Sequence, residues 1–163
     1  MAKDKKTVTN AMRLLNASKI KYETVEYEAD EVGEHFGEAI AEMTGIPAEK
    51  SFKTLVARGD KTGIMVSCIA VNHEVDLKKL AKVSGNKKVE MIHVKELLGL
   101  TGYIGGGVSP VGMKKKYPTY INETAQNFET IAISGGRCGT TLILSPNDVQ
   151  KATDCVFADI TKE

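Results

Sequence analysis

Apolar residues recur along the chain with two spacings, every three to four residues or every second residue. The first spacing predicts helices and the second predicts strands. Helical spacing over residues 7–18 predicts a helix with Thr9 or Asn10 as its cap. Residues 76–85 begin with an aspartate and end with a glycine, as capped helices often do. The other predicted helices cover residues 36–43, 94–100 and 145–153.

Alternating or continuously apolar runs predict strands between these helices. The clearest pair covers residues 53–57 and 64–71, and the connection RGDKTG contains the glycine and aspartate that hairpin turns favour. Further strands are predicted over residues 21–27, 89–92, 130–136, 140–145 and 155–160.

Glycines and prolines punctuate residues 101–123, which are therefore predicted to form a long loop. Long loops inside compact domains are often functional. Strands and helices are mixed along the chain but do not alternate strictly. We therefore predict a single α+β domain over residues 1–163, with a mixed, mostly antiparallel sheet or a partly closed barrel and with peripheral helices.

Composition narrows the class of protein. The chain has 163 residues, of which 42% are hydrophobic and 26% charged, as in ordinary soluble domains. Its formal net charge of +1 gives no overall basic character, and DNA is not an expected partner. The first residues contain no apolar core of a signal peptide, and the longest apolar run, residues 64–71, is too short to span a bilayer. A cytoplasmic protein without membrane contact is expected.

The cysteines indicate neither a disulfide framework nor a zinc site. Cys68, Cys138 and Cys155 are odd in number and widely spaced, and no CxxC motif or cysteine–histidine cluster occurs. Free thiols fit a reducing cytoplasm. No metal or other cofactor is expected.

A lysine inside an apolar strand is the first candidate for function. In the stretch SFKTLVARGD, Lys53 stands between Phe52 and Leu55 near the start of a predicted core strand. Such a lysine often extends to solvent along its aliphatic stem. It can also lie in a pocket, where its ammonium stabilises a developing oxyanion or binds a phosphate. The residues alone leave both explanations open.

Two glycine-rich segments are candidates for ligand contact. Residues 105–110 (GGGVSP) have neither dinucleotide-binding nor P-loop spacing, so they form either a flexible turn or a tight loop whose N–H groups approach a ligand. Residues 134–141 (SGGRCGTT) form a second bend, in which Ser134 is a turn residue, a ligand contact or both. Cys138 with a histidine base would make a cysteine hydrolase, but no local pattern supports such a pair. The histidines of the chain are His35, His73 and His93.

Lysines cluster at residues 78–79, 87–88 and 114–116. These clusters are solvated surface or, if they share one face, a surface that holds phosphates. Only Tyr117 and Tyr120 accompany the last cluster, so a module that reads RNA sequence is not expected.

Six segments carry a family resemblance through their order and spacing. They read YEAD, HFGEAIAEMTGIP, SFKTLVARGD, DLKKLAKVSGNKKVEM, TGYIGGGVSPVGMKKKYPTYINE and ISGGRCGTTLILSPNDV. Together they resemble the YbaK/EbsC family of free-standing aminoacyl-tRNA deacylases, which also includes the editing domain of bacterial prolyl-tRNA synthetases. The resemblance covers nearly the whole chain. It implies a compact α+β fold that binds the 3′ end of an aminoacyl-tRNA and hydrolyses the ester to a wrong amino acid.

The resemblance also implies roles for individual residues. Lys53 matches the pocket lysine of the family, and residues 105–110 match a backbone-lined loop near the substrate carbonyl. The catalytic residues implied in this way are Lys53, Gly106 and Gly107. The substrate-binding residues implied are Tyr27, Phe36, Thr54, Gly105, Ser109, Pro110, Ser134, Gly135 and Thr141.

One departure from the family concerns Thr141, which stands where the free-standing Cys-tRNA deacylases usually carry an acidic residue. A hydroxyl can form hydrogen bonds but cannot supply negative charge to a substrate ammonium. The expected activity is hydrolysis of Cys-tRNA(Pro), assisted by the thiol of the substrate. The alternatives are an Ala-tRNA(Pro) deacylase and a non-catalytic module that binds tRNA 3′ ends or nucleotides. The family also suggests prolyl-tRNA synthetase as a partner that supplies tRNA selectivity.

Overall fold

The computed structural model describes residues 8–28 and 36–162, without the side chains of residues 36–38. Its helices are α1 (Asn10–Ala17), α2 (Phe36–Thr44), α3 (Leu77–Ser84), α4 (Leu97–Thr101) and α5 (Pro146–Thr153). Its strands are β1 (Glu23–Glu26), β2 (Phe52–Gly59), β3 (Gly63–Ala70), β4 (Val89–Met91), β5 (Thr119–Asn122), β6 (Ile131–Ser134), β7 (Thr140–Leu144) and β8 (Val156–Ala158). Short 3₁₀ turns cover Ala48–Lys50, Val94–Glu96 and Glu123–Asn127.

Local signals explain where the helices begin and end. Thr9, Asp76 and Ser145 precede α1, α3 and α5, and each side-chain oxygen accepts a hydrogen bond from a backbone N–H of the first turn. Gly85 ends α3 with a φ of 80°, in the left-handed region that favours glycine. The helix predicted over residues 76–85 is confirmed. None of the helices in the described part of the chain is long and apolar enough to cross a membrane.

The strands form two sheets. The first is antiparallel, with the order β1-β7-β6, and the second is mixed, with the order β4-β2-β3-β5-β8. The predicted hairpin is confirmed, because β2 and β3 pair from Phe52 with Ala70 to Gly59 with Gly63. The prediction of an α+β fold with a mixed sheet is likewise confirmed, and no barrel closes among residues 8–28 and 36–162.

The prediction of a loop over all of residues 101–123 is wrong at its end. Residues 119–122 form β5, which lies inside the second sheet and runs parallel to both β3 and β8. Thr119 and Ile121 pair with Val66 and Cys68, and all four residues are buried. Four residues after a proline are too few for the alternating pattern to stand out, and the strands that pair with β5 are distant in sequence.

The second sheet is buried on both faces. Phe52 and Ile121 belong to a core shared with the first sheet, α1 and α5. Met65 and Ile69 lie on the other face and pack against Leu80 of α3. The helices therefore cover the sheets from outside, while the space between the two sheets is left for the core and for the cavity described below.

Candidate active site

The cavity lies along an edge of β2 that β4 leaves uncovered. β4 pairs with β2 over residues 57–59, and the N–H of Ile92 donates to the carbonyl of Val56. Among the described residues, no strand pairs with residues 52–55 of β2 on this side. Ser51, just before β2, instead forms an isolated parallel bridge with Ala132 of β6. The start of β2 and the end of β6 thus become two walls of a cavity of about 440 Å³.

Most of the cavity wall is apolar. One part comes from β2 and its flanks, one from the first sheet, one from α2, and one from α4 with the glycine-rich loop that follows it. The lining residues are Tyr27, Ile40, Thr44, Ser51, Phe52, Lys53, Thr54, Leu55, Val71, Val94, Leu97, Gly105, Gly106, Val108, Ala132, Ile133, Ser134 and Thr141.

Lys53 contributes the only ammonium to this wall among the described residues. Its side chain is half-buried, and it makes no hydrogen bond or ion pair within the described part of the chain. By contrast, Lys79 contacts Asp159, and Lys116 contacts Asp154. A lysine held in a cavity without a protein partner is free to donate to a bound anion.

Tyr27 is the other ionisable residue on the described wall. It is buried, and this burial raises the pKa of its hydroxyl above the ordinary value of 10.0. Tyr27 is therefore a neutral phenol near neutral pH. Its backbone N–H donates to the carbonyl of Gly139, which fixes the end of β1 against the bend before β7.

Strand pairing places two hydroxyl residues on the wall formed by the first sheet. Ser134 at the end of β6 is the partner of Thr141 in β7, and Thr141 is also the partner of Val25 in β1. The Ser134 Oγ accepts a hydrogen bond from the N–H of Gly136 at 3.2 Å. Its own proton is not used by that bond, so Ser134 can donate to a ligand.

The glycine-rich loop contributes Gly105 and Gly106 but not Gly107 to the wall. Gly106 has a φ of 87°, which side chains with a Cβ rarely adopt. Gly107 packs against the second glycine-rich bend, where an added Cβ would lie 2.8 Å from the Cα of Arg137. The two glycine-rich segments therefore touch each other at Gly107.

The cavity gathers seven of the residues predicted from the sequence. They are Tyr27, Lys53, Thr54, Gly105, Gly106, Ser134 and Thr141. Their roles in binding and catalysis stay predictions.

Apart from Phe36, the remaining predicted residues do not line the cavity. Ser109 is fully buried, and its Oγ accepts from the N–H of Val111 at 3.3 Å. Pro110 is also buried, and it lines a second, smaller cavity of about 230 Å³. Gly107 and Gly135 are buried behind the wall, and the side chain of Phe36 lies outside the described residues.

Most residues of the apolar wall are not among those predicted from the sequence. Ile40 and Thr44 come from α2, Val94 and Leu97 from the region of α4, and Val71 from the end of β3. Each of the four apolar residues among them looks like an ordinary core residue in the sequence, and Thr44 looks like an ordinary polar residue at a helix end. Nothing local distinguishes an apolar side chain that faces a cavity from one that faces the core.

Cys138 does not line the cavity. Its Sγ contacts the carbonyl oxygen of Gly105 at 3.8 Å. His73 and His93 are likewise absent from the wall, and His35 lies outside the described residues. No group of three or more possible metal ligands occurs in the described part of the chain.

Comparison with known proteins shows the family to which the chain belongs. Residues 31–152 match the model of a family described as the aminoacyl-tRNA editing domain. The chain belongs to this family.

Particular relatives agree with that class. The chain is 48% identical over 163 residues to the Enterococcus faecalis protein named "Putative Cys-tRNA(Pro)/Cys-tRNA(Cys) deacylase EbsC", with 99% of this chain and 98% of that protein covered. It is 27% identical over 100 residues to the proline–tRNA ligase of Burkholderia cenocepacia, which covers 59% of this chain and 17% of the ligase. The fold matches that of a solved structure titled "Crystal structure of a putative trans-editing enzyme for prolyl tRNA synthetase", with a TM-score of 0.80, 24% identity, and 94% and 98% of the two chains covered.

Proposed function

We propose that this protein is an aminoacyl-tRNA deacylase whose preferred substrate is Cys-tRNA(Pro). Membership of the editing family supports the reaction class, and the near full-length similarity to the Enterococcus faecalis protein supports the substrate. The observation that carries the proposal is the position of Lys53, an ammonium with no partner in the described chain on the wall of an otherwise largely apolar cavity.

The cavity suits the end of an aminoacyl-tRNA. Its volume of about 440 Å³ is in the range of small-molecule sites. In this proposal, Lys53 binds the terminal phosphate or the oxyanion that forms at the ester carbon, which its position on the cavity wall supports. Gly105 and Gly106 allow the substrate to approach the backbone closely, because they carry no side chain. Ser134 offers a hydroxyl proton.

The described wall contains no histidine, cysteine or carboxylate that could activate a nucleophile. The substrate can supply one, since a thiol with a pKa of about 8.5 is partly thiolate near neutral pH. The cysteinyl sulfur attacks its own ester carbonyl and forms a C–S bond. The ester C–O bond breaks, and the ribose oxygen leaves and takes up a proton. Water then opens the strained thiolactone and releases free cysteine.

A comparison of matched substrates tests this mechanism. Cys-, Ser-, Ala- and Pro-tRNA(Pro) are incubated with protein at a tenth or less of the substrate concentration. We expect several turnovers of Cys-tRNA(Pro) and much slower cleavage of Ser-tRNA(Pro), since the serine hydroxyl is far less nucleophilic than the thiol. Equal rates for these two substrates would show that an activated water, and not the substrate thiol, is the nucleophile. If Ala-tRNA(Pro) is cleaved fastest, it is the preferred substrate. If the tRNAs bind without turnover, the protein is a binding module and not an enzyme.

Selection of the tRNA is the second part of the proposal. The balanced net charge of +1 supports only weak binding to the tRNA backbone, and docking on prolyl-tRNA synthetase in the cytoplasm would supply the missing selectivity. The similarity of the chain to part of a proline–tRNA ligase supports a shared substrate. Addition of the synthetase should lower the KM for Cys-tRNA(Pro) without changing kcat. If the synthetase does not change the KM, the part of the proposal that names it as a partner fails, and the tRNA is the only partner left.

A further inference from the structure

We infer that Thr9 is a positioning residue for the proposed deacylation, on which this inference rests, because it holds the glycine-rich bend of residues 134–139 in place. Thr9 precedes α1, a helix that contributes no residue to the described wall of the cavity. The Thr9 hydroxyl donates to the carbonyl oxygen of Gly135 at 2.6 Å. The Thr9 Oγ1 also accepts a hydrogen bond from the N–H of Met12 at 3.2 Å. One side chain therefore caps α1 and ties this helix to the bend.

The bend uses both backbone polar groups of Gly135. Its N–H donates to the carbonyl of Thr140 at 2.9 Å, and its carbonyl accepts from Thr9. Gly135 is buried, so a carbonyl released by Thr9 would lose a hydrogen bond in a place where water does not easily replace it. A Cβ added at Gly136 would lie 3.2 Å from the Cβ of Thr9, which shows that the bend packs directly on this side chain.

Movement of the bend would reach the cavity through Ser134. The Ser134 Oγ accepts from the N–H of Gly136, so the orientation of its hydroxyl depends on the position of this amide. Thr141, the strand partner of Ser134, lies on the other side of the bend. Both residues line the cavity. Thr9 is thus coupled to two hydroxyl residues of the wall without touching the ligand space itself.

The start of α1 also contacts the loop that directly follows residues 105–110. A Cβ added at Gly112 would lie 2.7 Å from the carbonyl oxygen of Asn10, so the loop runs directly over the first turn of the helix. Tyr103 donates to the carbonyl of Val111 at 2.6 Å, which fixes the loop next to this contact. The start of α1 therefore contacts both the bend of residues 134–139 and the loop that directly follows residues 105–110.

Three substitutions at Thr9 separate positioning from capping. Thr9→Ser keeps both the donor and the cap. Thr9→Asp keeps an oxygen that caps the helix but has no proton to donate to the Gly135 carbonyl. Thr9→Val removes both. Ser145→Ala is the matched control, since it removes the N-cap of α5 and Ser145 is not part of the cavity.

Two readouts are measured for each variant: kcat for Cys-tRNA(Pro) and amide hydrogen exchange at Gly136. We expect Thr9→Asp and Thr9→Val to lower kcat about tenfold or more and to speed exchange at Gly136 by a similar factor, because small displacements of a positioned group cost rates of this order. Thr9→Ser should stay within about twofold of wild type. Ser145→Ala should lose stability with both readouts unchanged.

Wild-type kcat and exchange in Thr9→Asp and Thr9→Val would overturn the inference, as would an equal fall of kcat in Ser145→Ala. If Thr9→Val does not fold, Thr9→Asp decides the question because its helix cap is retained. If wild-type protein hydrolyses no aminoacyl-tRNA, the proposed function fails, while exchange at Gly136 still shows whether Thr9 holds the bend.

Discussion

Ser51 and Ala132 form a parallel bridge that joins the two sheets at the cavity. Because the two chain segments run in the same direction here, Lys53 and Ser134 each follow their bridge residue by two positions and reach the same cavity. The bridge thus brings a lysine from one sheet and a serine from the other into one site.

The first prediction concerns the ammonium of Lys53. Lys53→Ala should lower kcat/KM for Cys-tRNA(Pro) by a factor on the order of 10²–10³, the usual effect of removing one donor to a developing oxyanion. Its melting temperature should stay close to that of wild type, since the side chain of Lys53 makes no hydrogen bond or ion pair within the described residues. Lys82→Ala, in the last turn of α3, is the control and should keep full activity. A folded Lys53→Ala protein with wild-type turnover would remove Lys53 from the mechanism.

The second prediction concerns the backbone at Gly106. Gly106→Val should lower kcat/KM about tenfold or more, because a β-branched residue at a φ of 87° is strained and fills space where the substrate approaches. Gly99→Ala is the matched control in the preceding helix, where an added Cβ meets no atom within 4 Å. It should keep its activity and gain up to about 1 kcal/mol in stability. Unchanged kinetics in Gly106→Val would make this loop a simple connector.

The third prediction concerns pH and Tyr27. Burial raises the pKa of its hydroxyl above 10.0 in the folded state, so folding favours the neutral phenol. The resulting stabilisation is fully present below the ordinary pKa and is lost as the pH rises through the higher folded pKa. Tyr27→Phe should therefore flatten the alkaline fall in stability above pH 10.0. It should also remove a late phase from the ultraviolet titration of the folded protein, and a titration without that difference would contradict the assignment.

The fourth prediction compares two fully buried serines. The Ser67 Oγ has no hydrogen-bond partner within the described structure, whereas the Ser109 Oγ accepts from the N–H of Val111. Ser67→Ala should raise the free energy of unfolding by about 1 kcal/mol, because it removes a hydroxyl that folding desolvates without compensation. Ser109→Ala should lower it by about 1 kcal/mol, since it leaves a buried N–H unpaired. Urea denaturation tests both predictions, provided that the variants and the wild type have equal m-values. A destabilised Ser67→Ala variant would show that the Ser67 hydroxyl of the wild type has a hydrogen-bond partner in solution.

Much of the secondary structure follows from local chemistry. The aspartate and glycine that bound residues 76–85 predict α3, and the turn residues between two apolar runs predict the β2–β3 hairpin. These predictions succeed because caps and turns involve residues that are close in sequence. β5 was missed because its four residues gain their stability from β3 and β8, which are distant in sequence.

The sequence by itself determined the family resemblance, the helix caps and the identity of Lys53 and Ser134 as candidate site residues. Only the tertiary structure decided which residues face the cavity: Gly106 faces it, while Gly107 packs on the backbone of Arg137. It also decided that β4 pairs only with the last residues of β2, so that no described strand pairs with this edge of β2 next to Lys53. The physical reason is that caps and turns are short-range interactions, whereas the cavity is the space left between two sheets whose pairing depends on residues far apart in the chain.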